Sequence, residues 1–173
     1  EYSKLERYDF AGLLAYRAIE ELVDEGLRRL SKEGFFDRGK PEYESLTDDV
    51  EQLCKDLCAL YANCGKNKRK VTSLPDKIGL GDGYALLMLL ALEQYGNVFD
   101  NANMKPAKVF EKVLGICSSR NESILAHGNT PLGAKKYQAI YGLAENISKI
   151  IAENNIIDRI EKITPPRLGE LLL

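Results

Sequence analysis

The stretch Leu5–Leu30, LERYDFAGLLAYRAIEELVDEGLRRL, decides the fold. Within it Leu5, Tyr8, Gly12, Tyr16, Ile19, Val23, Leu27 and Leu30 recur at spacings of three and four. That is the period that gathers side chains on one face of an α-helix, whereas a half-buried strand would alternate every two residues. The pattern predicts a long amphipathic first helix ending near Gly34. Arg17 stands three and four residues before Glu20 and Glu21, a spacing that predicts an ion pair along the same helix.

The same period continues outward. A second helix is predicted from Ser45, whose side chain can cap free N–H groups with Asp48 three residues on. It would carry Leu46, Val50, Leu53, Leu57, Leu60 and Cys64 inward and stop at Gly65. From Tyr84 to Tyr95 the chain is apolar on every side, which fits a central helix or one facing a subunit interface. Pro106 suits the first position of the next helix, with Val109, Phe110, Val113, Leu114 and Cys117 on one stripe. Thr130 and Pro131 read as the cap and first turn of a last long helix, whose inward face is Leu132, Ile140, Leu143, Ile147 and Ile150. Pro165 and Pro166 end regular structure. The expectation is an all-α bundle of five or six helices forming one domain over 1–173.

Composition narrows the function. The 173 residues suit one domain with a real core, and 24 Lys and Arg against 26 Asp and Glu leave a net charge of −2. A global positive field is therefore excluded, and any polyanion must be held by a local patch. The basic run of Lys66, Lys68, Arg69 and Lys70 is such a patch in outline, but short charge runs in loops are ordinarily solvated surface. The four cysteines follow no secretory signal, and Cys54 and Cys58 sit one helical turn apart, which points to a reduced, cytoplasmic protein. Their spacing does not make a zinc site, and no metal or cofactor is expected. The longest apolar run, Tyr84 to Leu92, is half the length of a membrane span. GLGDG at Gly79–Gly83 lacks both a preceding strand and a following Lys-Ser or Lys-Thr, so Asp82 is expected as a helix cap instead of part of a phosphate loop.

The sequence holds one histidine, in Arg120–Thr130, RNESILAHGNT. On a continuous helix, positions seven apart lie two turns away and about 20° off in azimuth, so Arg120 and His127 would share a face roughly 10 Å apart along the axis. Arg offers a permanent forked donor for phosphate oxygens, and imidazole exchanges a proton near neutral pH. Together they suit phosphodiester cleavage without metal, with a ribose 2′-hydroxyl as nucleophile. Asn121 and Ser123 add neutral hydrogen-bonding groups, and Lys135 and Lys136 follow as candidate phosphate contacts. The duller alternative is a histidine that favours the negative end of a helix before an ordinary glycine stop at Gly128.

The string R-N-x-x-x-x-x-H formed by Arg120, Asn121 and His127 resembles the R-x(4–6)-H signature of HEPN domains, small helical bundles that include many ribonucleases. YRAIEEL at Tyr16–Leu22, KIGLGDGYALL at Lys77–Leu87 and SILAHG at Ser123–Gly128 are together similar to the C-terminal HEPN domain of CRISPR-associated proteins that carry a CARF sensor domain. The resemblance runs from about Tyr8 to the last helix. It implies metal-independent cleavage of single-stranded RNA at a twofold interface between two HEPN domains, with Arg120, Asn121 and His127 as catalytic residues. It also implies a preceding sensor domain that binds a cyclic oligoadenylate, in keeping with a chain that opens at Glu1 and enters helical periodicity at once. Arg17 is kept as a possible supporting group. The competing readings are a non-catalytic HEPN dimerisation or RNA-binding module, and the HEPN toxin of a toxin–antitoxin pair.

Overall fold

A computed structural model of the chain describes residues 2–64, 70–96, 98, 105–121 and 131–153. They form six α-helices and no strand among the described residues: α1 Tyr2–Leu30, α2 Val50–Ala62, α3 Leu80–Leu90, α4 Leu92–Tyr95, α5 Pro106–Asn121 and α6 Ala134–Glu153. A single 3-10 turn, Tyr43–Ser45, precedes α2. The all-α bundle expected from the sequence is the architecture found.

The apolar stripe of α1 is the wall on which the bundle is built. Tyr16, Ile19, Val23 and Leu27 are buried, and α1 packs along α6 on one side and against α3 on another. Arg17 pairs with Glu20 on the exposed face, as its spacing predicts. The helix ends at Leu30, four residues before the expected stop. Arg28 and Arg29 lie in its last turn, where cations oppose the negative dipole end. The Ser31 hydroxyl donates to the Phe35 carbonyl at 2.7 Å, and Gly34 takes the left-handed conformation with φ 66°. Glu25 accepts from both arginines at 2.7 Å, which holds its carboxyl below the usual range, the Arg28 bond contributing most. Arg29 reaches on to the Ile151 carbonyl, tying the end of α1 to the end of α6.

α2 does not start at Ser45. The Ser45 hydroxyl donates to the Glu42 carbonyl inside the 3-10 turn, and Asp49 caps the helix by accepting from the Gln52 amide at 2.8 Å. The helix ends at Ala62, where Asn63 donates its side-chain amide to the Ala59 carbonyl. Gly65 lies outside the described residues.

α3 is the central helix. Every residue from Asp82 to Met88 is buried, so its all-round apolarity is spent inside this chain and not on an exposed subunit face. Gly79 occupies the cap position, and Asp82 lies within the first turn. This corrects the capping role expected for Asp82: its carboxylate accepts from the Tyr61 hydroxyl on α2 at 2.7 Å, away from solvent. The helix breaks at Ala91 instead of running to Tyr95, and the Tyr84 hydroxyl donates to the Tyr95 carbonyl across the break.

Pro106 opens α5 as predicted, with the Lys105 carbonyl accepting from the Lys108 and Val109 amides. Val109, Phe110 and Val113 are buried on its inner stripe. α6 starts at Ala134, so Pro131 is not its first turn. The Gly133 carbonyl accepts from the Tyr137 amide, while the Leu132 amide is taken by the Asp9 carboxylate at 2.9 Å and the Leu132 side chain is buried. Thr130 lies outside the described residues. Ile140, Leu143, Ile147 and Ile151 then turn inward.

Candidate active site

Arg120 and Asn121 are the last two residues of α5, and Lys135 and Lys136 stand in the first turn of α6. The structure thus brings the flanks of the predicted site together on two helices packed against one another. Ser123 and His127 fall in the segment 122–130, which lies outside the described residues, as do Lys66, Lys68 and Arg69 of the basic run. Only the helical backbone is described at Arg120 and Asn121. Lys70 is exposed.

Between α5 and α6 runs an open groove of ≈ 550 Å³. From α5 it is lined by Lys112, Gly115, Ile116 and Ser119, residues at the spacing of one helix face that leads to the Arg120 end. From α6 it receives Lys135 and Lys136 at one extreme and Asn146 at the other, with Ala139, Gly142 and Leu143 between. Among the described residues three lysines and no acid line it, in a chain whose net charge is −2. The Ser119 hydroxyl donates to the Gly115 carbonyl one turn back at 2.9 Å, so this helix face carries its own polar closure.

The electrostatics favour an anion at this end of the bundle. The first turn of α6 carries the positive end of the helix dipole, and Lys135 and Lys136 add charge to it. Lys135 is exposed and Lys136 half-buried. Cys117, one turn before Asn121, is not a competing nucleophile: burial pushes its thiol up to about 11, against a smaller opposing effect of the Tyr16 hydrogen bond. Among the described residues no three His, Cys, Asp or Glu side chains converge to hold a metal ion, and no helix is long and apolar enough to cross a membrane.

A family profile described as "Csm6 HEPN domain" matches residues 2–151. The chain belongs to the Csm6 HEPN family. The match ends on Ile151, the last buried residue of α6, and spans the whole Arg120–His127 string. The family is CRISPR-associated, and HEPN domains of the Csm6 type are generally ribonucleases. No curated protein and no solved structure matches the chain.

The sequence reading singled out Lys135 and Lys136, which line this groove, but not Lys112 or the two groove glycines, Gly115 and Gly142. The available signal was faint. A glycine inside an amphipathic helix weakens it, and neither Gly115 nor Gly142 stands where a turn calls for one.

Proposed function

We propose that this HEPN domain is a metal-independent endoribonuclease acting on single-stranded RNA. His127 takes the proton from a ribose 2′-hydroxyl as O2′ attacks the adjacent phosphorus and the P–O5′ bond breaks. The leaving O5′ receives a proton, and the products are a 2′,3′-cyclic phosphate and a 5′-hydroxyl. Arg120 stabilises the charge on the non-bridging oxygens, Asn121 orients the reacting groups, and Ser123, Lys135 and Lys136 hold the strand.

One imidazole per chain makes a poor base and acid in a single turnover. Two copies related by a twofold axis bring two histidines and two arginines to one cleft, so the working form is a homodimer. In the full-length protein we place a CARF-type sensor domain before this one, with cyclic oligoadenylate as the activating ligand and the cytoplasm as the site of action in antiviral defence.

The observation that carries this reading is the family match over 2–151, and it is supported by the lysine-lined groove beside α5, the helix that ends in Arg120 and Asn121. The test is cleavage of end-labelled single-stranded RNA in excess EDTA, with sedimentation of the same sample. Cleavage undiminished by chelator and a dimeric species are expected. Loss of cleavage in EDTA with recovery on adding magnesium removes the mechanism, and a species that stays monomeric at high concentration removes the shared cleft.

A further inference from the structure

The groove between α5 and α6 contains an economy that folding does not explain. Glycine is a poor residue inside a helix unless a neighbour needs the space. At Gly12, Gly26 and Gly83 that neighbour is visible, since an added Cβ would run into Leu132, Leu87 and Val23 respectively. At Gly115 and Gly142 an added Cβ meets nothing within 4 Å. Both of these glycines line the groove between α5 and α6. Among the described residues nothing fills the space above them.

We propose that an RNA strand lies in the α5–α6 groove on its way to the cleavage site, with Gly115 and Gly142 lowering the floor so that a base or ribose can rest against the helix backbones. This rests on the nuclease reading above and extends it from residues at the scissile phosphate to the path of the strand. Charge selects the occupant. Among the described residues the lining carries Lys112, Lys135 and Lys136 and no carboxylate. Lys112 lies eight residues before Arg120, about 12 Å back along the helix axis, so it stands toward the end of the path away from the chemistry. The floor is Ile116, Ala139 and Leu143 with the two glycines, a surface that accepts the flat apolar face of an unpaired base.

The glycines also supply a clean test. Gly142→Leu fills the groove from a helix position with open space and replaces a poor helix former by a good one, so the fold should not suffer. Lys112→Ala leaves the floor intact and removes the cation furthest from the chemistry. The probe is a fluorescent single-stranded RNA with 2′-O-methyl riboses, which binds but cannot be cut by 2′-hydroxyl attack, and the readout is anisotropy across a salt series. Gly142→Leu is expected to weaken binding tenfold or more with melting temperature and sedimentation unchanged or improved. Lys112→Ala is expected to reduce the slope of log affinity against log salt by about 0.7, the value of one phosphate contact on a single strand. Wild-type affinity in Gly142→Leu, or an unchanged slope in Lys112→Ala, overturns the proposal and leaves the nuclease reading standing. Weakened binding accompanied by loss of self-association assigns the groove to a second copy and also overturns it. If the wild-type domain binds no such RNA, the nuclease reading fails and this path fails with it.

Discussion

Gly83 and Gly142 are both helix-interior glycines, and they do opposite things. Gly83 lies on α3 where an added Cβ would come 2.8 Å from Val23 Cγ1 and 3.4 Å from Ile78 Cγ2. Its missing side chain lets α1 and α3 approach, and the helical weakness is offset by packing. Gly142 on α6 faces the groove, and no atom of the described structure uses its space. The side of the molecule around Gly83 is closely packed, and the side at Gly142 keeps an open groove between α5 and α6. A fold needs the first. The second is what a binding site looks like before its ligand arrives.

Truncation on the packed side should have the largest effect. Leu87 is fully buried on α3, and Leu87→Ala should cost about 2–5 kcal/mol through lost burial and the cavity left behind. Denaturant unfolding measures it, and a cost below 1 kcal/mol would mean that α3 is not the centre of the core. Gly83→Ala should follow at about 1–3 kcal/mol, because Val23 is β-branched and cannot swing its methyl aside. Gly142→Ala should instead stabilise the domain by about 0.5–1 kcal/mol, the ordinary gain of alanine over glycine in a helix. Equal destabilisation by Gly83→Ala and Gly142→Ala would erase the distinction between the two sides.

The packed side was largely legible in the sequence. The three-four spacing of Ile19, Val23 and Leu27 announced the inner face of α1, and the all-round apolarity of Tyr84–Met88 announced a central helix. What escaped was decided by partners distant in the chain. Asp82 has the composition of a cap, but its place is fixed by Tyr61 on another helix. Thr130 and Pro131 have the form of a helix start, yet the Leu132 amide is claimed by Asp9 from the opposite end of the sequence, and α6 waits until Ala134. At Ser45 the failure was local, since a hydroxyl that can cap a helix can equally close a 3-10 turn.

At the candidate site the sequence offers residue types but no shape. Arg120 and Asn121 stand at the end of α5 and the lysines of α6 border the groove, while the two-turn spacing from Arg120 to His127 runs outside the described residues. The groove itself could not be read, because it is a space between helices. Lys112 looks like any exposed helical lysine until the opposite wall is known.

The measurement closest to the central claim compares cleavage rate and RNA affinity in wild type and His127→Ala. Both proteins must first show the same circular dichroism. If His127 moves the proton in the rate-determining step, the substitution lowers the rate by roughly a hundredfold or more. Affinity for uncut RNA should fall far less, because a neutral imidazole holds phosphate weakly beside the permanent cation of Arg120. A folded His127→Ala domain that cuts RNA at the wild-type rate contradicts the account, and the histidine is then a helix-end residue of a binding module.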